Sequence, residues 1–142
     1  MALTLADVGA DCILKTFFNN TRPAGGNNFT LKLFVSNTTP ADTDTAGTYT
    51  EAAGGGYAAK TLTNGSFTVT VGNDPSDAVY AIQTWTFTGA LTTNLTIYGY
   101  YVVDADGVLQ WAEKLGASFT PTTNGDQLSV TPKFQLSKGT PT

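Results

Sequence analysis

Acidic side chains are the first place to look for chemistry in this chain. Asp104-Ala105-Asp106-Gly107 resembles the opening of a calcium loop, in which alternate carboxylates ligate and a glycine makes the sharp turn. The later acidic ligands and the closing bidentate glutamate of such a loop do not follow. The four residues therefore read as a turn, because short Asx side chains bond nearby backbone and Gly107 accepts positive φ. Asp42 and Asp44, with Glu51 nearby, read as a solvated polar loop. Two-carboxylate hydrolysis needs paired acids in one cleft, and Glu51 and Glu113, the only glutamates, sit in no motif. Gly54-Gly55-Gly56 is followed by neither the Lys-Ser/Thr nor the helix of a phosphate loop and reads as a flexible turn. The chain has no histidine, which removes the commonest general base, the commonest metal ligand and every histidine-based triad. No catalytic residue, cofactor or metal is expected, and the chain does not read as an enzyme.

Composition narrows the field further. At 142 residues the size prior gives one domain, long enough to bury a real core. Charged residues are 13%, about half the usual share, and the net charge is −4 with a pI near 4.4. Gripping nucleic acid needs a basic stripe, and none is visible, so direct nucleic-acid binding is not expected. No run of about 20 apolar residues exists to span a membrane. The N-terminus carries Asp7 and Asp11 without early Lys or Arg, which is unlike a secretory signal. The single cysteine, Cys12, permits no intramolecular disulfide and reads as a small buried hydrophobe. These features suit a protein made in a reducing cytoplasm. Five N-x-S/T matches, at Asn19, Asn28, Asn37, Asn64 and Asn94, are expected by chance in a chain so rich in Asn and Thr.

The elements that would position any site are strands. Leu95–Leu115 reads as a hairpin, with period-two alternation on either side of the Asp104–Gly107 turn. Its first strand carries large apolar groups on both faces: Leu95, Ile97, Gly99, Tyr101 and Val103 on one, Thr96, Tyr98, Tyr100 and Val102 on the other. Such a strand must be covered twice. Residues 1–20 form the only candidate helix, with Thr4 as a possible cap, or else an extended arm. Strands are expected at Phe29–Ser36, Tyr57–Leu62, Ser66–Val71 (Phe67, Val69 and Val71 facing in), Val79–Thr88 and Gln127–Leu136. Asn37–Glu51 reads as a loop too long and polar to be buried, and Gly72–Asp77 as a turn. Pro132 predicts an edge or a bulge in the last strand, since proline cannot donate to a ladder. The expected fold is all-β: a single-domain β-sandwich or jelly-roll of about 7–8 antiparallel strands. Residues 1–28 would form an N-terminal helix or arm with its loop, and 29–142 the body. Tyr98, Tyr100, Tyr101 and Trp111, with Tyr57, concentrate the aromatic surface. They suit the core, a carbohydrate platform, or a subunit interface, where aromatics are enriched.

Several blocks together resemble a family of small virion proteins of tailed bacteriophages. They are VGADCILKTFFNNT at Val8–Thr21, LKLFVSNTTPADTDTAGTYTEA at Leu31–Ala52, GGYAAKTL at Gly55–Leu62, TIYGYYVVDADGVLQWAEKL at Thr96–Leu115 and NGDQLSVTPKF at Asn124–Phe134. Within that family the likeness is to capsid decoration, or cement, proteins, including those of cyanophages. The resemblance implies a homotrimer on the capsid exterior that binds the major capsid protein and stabilises the head, with no catalytic residues. It also implies an N-terminal segment that contacts the shell. Similar small β proteins serve as tail or tail-fibre components, so a receptor- or glycan-binding module is the alternative expectation.

Overall fold

The central hairpin is the middle of a five-stranded antiparallel sheet in the computed structural model, which describes residues 3–9, 13, 28–70, 76–92 and 95–136. The strands are β1 (Leu3–Leu5), β2 (Phe29–Phe34), β3 (Lys60–Leu62), β4 (Thr68–Thr70), β5 (Ser76–Val79), β6 (Gln83–Thr86), β7 (Ile97–Val103), β8 (Leu109–Phe119), β9 (Gln127–Val130) and β10 (Lys133–Leu136). The main sheet runs β1-β8-β7-β2-β3, and two smaller sheets, β10-β5-β4 and β6-β9, complete the all-β fold. Every pairing between these strands is antiparallel.

Each face of the main sheet has its own core. On one side Leu31, Leu33, Ile97, Tyr100, Val102 and Trp111 pack with Trp85, Phe87 and Val130 from β6 and β9 and the residues beside them. Phe134 of β10 joins the same cluster from its margin. On the other side Phe34, Tyr101, Val103, Leu109 and Ala112 pack with Ala6 and Tyr49. The cover for the second face is thus the chain's own 37–51 loop. That loop reads as polar and unburied in the sequence, yet its Tyr49 ring is only 5% exposed. Tyr49 stacks on Tyr101 (centroids 5.2 Å apart) and lies 4.8 Å from the Phe34 ring. Backbone bonds Asp7 N–H to Asp42 O (2.8 Å) and Val35 N–H to Thr50 O (2.8 Å) lash the loop down. Lys114 Nζ adds a bond to Asn37 Oδ1 (2.8 Å).

Two register shifts in the β7–β8 pair, between Ile97 and Gly99 and between Val102 and Val103, set the side-chain directions in the hairpin. The first puts Ile97 on the Tyr100 face and not on the Tyr101 face that strict alternation assigns. Gly99 sits at that shift for a steric reason: a Cβ there would lie 2.3 Å from the Phe34 ring and 2.3 Å from the Glu113 carbonyl. The turn itself is as read. Gly107 has φ +81°, and Asp104 N–H bonds to Val108 O (3.0 Å).

Several elements differ from the sequence reading. Thr4 does not cap a helix. It lies in β1, which pairs Leu3–Leu5 with Glu113–Trp111, so the N-terminal segment contributes an edge strand to the main sheet. Residues 7–9 are helical, while Cys12 and most of the segment to residue 27 lie outside the described residues. Val79–Thr88 is not one long strand but β5 and β6, broken at residues 80–82. Gln127–Leu136 is likewise β9 and β10, broken at Thr131 and Pro132. Proline has no N–H for the ladder, and the fully buried Pro132 ring marks the second break. Tyr80 N–H bonds to Pro132 O (2.8 Å), so the breaks lie side by side and divide the second layer into its two small sheets. Ser76 and Asp77 belong to β5 and not to the expected Gly72–Asp77 turn; Val71 and the rest of that turn lie outside the described residues.

Candidate functional site

The acidic residues with calcium-like spacing are occupied by their own turns. Asp104 accepts from Asp106 N–H (2.9 Å), Val108 N–H (2.9 Å) and Gln110 Nε2 (3.0 Å). Asp44 accepts from Ala41 N–H (2.9 Å) and from the Tyr49 hydroxyl (2.7 Å). Glu51 holds Lys32 Nζ (2.9 Å) and the Tyr57 hydroxyl (3.1 Å). Asp126 accepts from Thr122 N–H (2.7 Å) and Thr123 N–H (2.9 Å), and these bonds hold its carboxyl down at about 2. Among the described residues no three His, Cys, Asp or Glu side chains converge as a metal site. The glycine run at 54–56 is tied by Thr88 N–H to Gly55 O (2.9 Å), which makes it a fixed connection and not a flexible turn.

The four aromatics expected at a subunit interface part company. Tyr100 and Trp111 lie in the core under the small sheets, at 1% and 3% exposure, and Tyr101 lies under the 37–51 loop at 3%. Their cover is this chain's own side chains. Tyr98 alone of the four is only partly buried, at the edge of the outer cluster. The two-faced hairpin needed a second cover, and an intramolecular loop supplies it.

Two features that the sequence reading passed over stand out. The first is a seam where the second layer divides. A cavity of about 380 Å³ opens there between Tyr100, Glu113 and Leu115 of the main sheet and Ser129–Thr131 and Lys133 around the break. Glu113, only 9% exposed, accepts a short hydrogen bond from the Tyr100 hydroxyl. Burial, and then this carboxylate, push the Tyr100 phenol well above its usual range. The Trp111 indole N–H is turned toward the Tyr100 oxygen without reaching hydrogen-bond geometry, and it has no other partner among the described residues. Alternation held the clue: Trp111, Glu113 and Leu115 share one face of β8, so a carboxylate falls between two apolar core positions.

The second feature is an apolar margin. In the small sheet Val69 and Phe134 both pair with Ala78, and Leu136 pairs with Ser76, so Val69, Phe134 and Leu136 share one face. Phe134 reaches the core, but Val69 is 62% exposed and Leu136 49%. An apolar cleft of about 250 Å³, lined by Phe29, Phe67, Ala78, Trp111 and Phe134 among others, opens on the same face. Val69 was expected to face in. It does point to the core side, but its strand overhangs the core.

No family model, curated protein or solved structure matches this chain.

Proposed function

We propose that the protein is a virion structural protein of a tailed bacteriophage. In this reading it is a capsid cement protein that binds the outer surface of the major capsid protein as a homotrimer and stabilises the head. The ordered sequence blocks that resemble that family supply the class. The observation that carries the reading is the kind of surface left exposed. Among the described residues the exposed large hydrophobics are Val8, Val69, Ile82, Leu95, Val108 and Leu136, all aliphatic. A glycan platform needs exposed aromatic rings, which disfavours the receptor-binding alternative. Exposed aliphatic side chains on a weakly charged β body suit protein–protein contact, since few ions must be desolvated on docking. Each contact can be weak, because repeated attachment over a shell multiplies its effect.

In this reading Tyr98 and the Val69–Leu136 margin replace the buried aromatics as contact residues. The test is a virion reconstruction combined with capsid challenge. The expected result is density on the outside of the head, and heads that rupture at lower temperature or internal pressure once the protein is stripped off. Density on the tail, or unchanged head resistance after stripping, overturns the proposal.

A further inference from the structure

We infer that the seam cavity is a binding site for a small primary alkylammonium ligand, with Glu113 as its counter-ion. The inference stands independently of the virion reading. A carboxylate offers about four acceptor positions, and the Tyr100 hydroxyl is the one donor found for Glu113 among the described residues. Lys133 also lines the cavity, but neither it nor any other Lys or Arg among those residues comes within ion-pair distance of Glu113; the described ion pair is Lys32–Glu51. A carboxylate nine-tenths buried without a cation in direct contact is costly, and a cation that brings several N–H donors to it offsets that cost best. A primary ammonium carries three donors on a compact charge. Tyr100 stays neutral and donating, and so fixes the carboxylate rather than competing with the ligand. Leu115 and Val130 supply apolar wall for a methylene stem. The volume, about 380 Å³, falls in the usual range for small-ligand sites of about 300–1,000 Å³.

The geometry also explains why the site is where it is. An unbroken second layer would lie flat over Tyr100 and Glu113. The break at Thr131 and Pro132, held beside Tyr80 by the 2.8 Å backbone bond, opens the layer above them.

The experiment titrates the full chain with n-butylammonium chloride at constant chloride, followed by amide NMR shifts at Tyr100, Glu113, Leu115 and Val130 and by Trp fluorescence. Two matched probes accompany it: n-butanol, which lacks the charge, and tetramethylammonium, which lacks the N–H donors. Saturable shifts with n-butylammonium are expected, with each matched probe weaker by about tenfold or more, as the loss of a charge-assisted hydrogen bond requires. Glu113→Gln should weaken n-butylammonium to a similar extent. Equal shifts from all three probes overturn the inference, as do saturation unchanged by Glu113→Gln or no shift up to about 50 mM, where even a weak site of about 10 mM would be mostly filled. Should Glu113→Gln fail to fold, the three-probe comparison on the unaltered protein decides.

Discussion

Glu113 and Tyr100 show how much a single buried pair can demand of its neighbours. The carboxylate and phenol sit opposite each other across β7 and β8, in a row with Leu33 of β2. Removing the hydroxyl alone leaves the carboxylate buried with its donor gone. Tyr100→Phe is therefore expected to cost about 2 kcal/mol, read as a melting point lower by roughly 4–8 °C in a chain of this size. Replacing both partners by apolar groups removes the demand as well as the bond. The double variant Tyr100→Phe with Glu113→Leu should then be less destabilised than the two single variants added together. A strictly additive double-mutant cycle in thermal unfolding would rule out the coupling. The buried phenols also set an alkaline limit. Burial first, and nearby carboxylates after it, raise Tyr49, Tyr57 and Tyr100 above the ordinary phenol range and push Tyr101 up to about 12. The folded values exceed the unfolded value of about 10, so the unfolded chain releases protons first. The stabilisation is complete below about pH 10 and is lost as pH rises through the folded values. Phenolate absorbance from these rings should appear together with loss of near-ultraviolet circular dichroism, whereas their ionisation in a still-folded chain would contradict this account.

At the level of elements, the loop at 37–51 is the piece whose role was least readable. Its Thr, Asp and Pro content says solvent, and most of it is exposed, yet one ring at Tyr49 closes the second face of the sheet. Local composition does not carry that information, because it depends on Tyr101 and Phe34 lying beneath the loop. Tyr49→Ala should cost about 3 kcal/mol, as large-to-small changes of buried aromatics do, while Thr43→Ala in the same loop should stay within about 0.5 kcal/mol. Urea unfolding of the two variants measures the contrast, and equal effects would return the loop to a merely polar connection. Other elements were plain in the sequence. The hairpin, its Asp104–Gly107 turn and β2 follow from alternation and turn chemistry, which are local, apart from the register shift that turns Ile97 to the other face. Pro132 announced an irregularity, though not that a matching break at residues 80–82 would pair with it and divide a layer. Trp111, Glu113 and Leu115 alternate visibly, but the seam needs both breaks, and those are set by tertiary contact.

For the whole molecule, the decisive contrast is between a body that satisfies itself and a margin that does not. Tyr100, Tyr101 and Trp111 are used up internally, so in the proposed cement role an assembly contact is built from what remains. Val69 is the clearest candidate: 62% exposed, on a strand whose three residues, Thr68, Val69 and Thr70, are all exposed. In the order β10-β5-β4 that strand has a neighbour on one side only among the described residues. No charged residue falls between Lys60 and Asp74, so the edge lacks the charges that usually discourage pairing with another chain. In a closed trimer such an edge would meet a different surface of the next subunit, a heterologous contact that closes by rotation. Under the proposed cement role, a charge placed there should therefore block assembly while sparing the fold. Val69→Asp is expected to leave the melting point of the isolated subunit within a few degrees, because an exposed edge position gains little from burial. The same change should weaken self-association and capsid attachment on the order of 30-fold, the effect of losing about 2 kcal/mol at an interface anchor. Analytical ultracentrifugation and co-sedimentation with stripped heads read the two effects separately. A Val69→Asp chain that still forms trimers and still coats heads would exclude this margin as the contact. A subunit that unfolds on the substitution would show that Val69 belongs to the core after all.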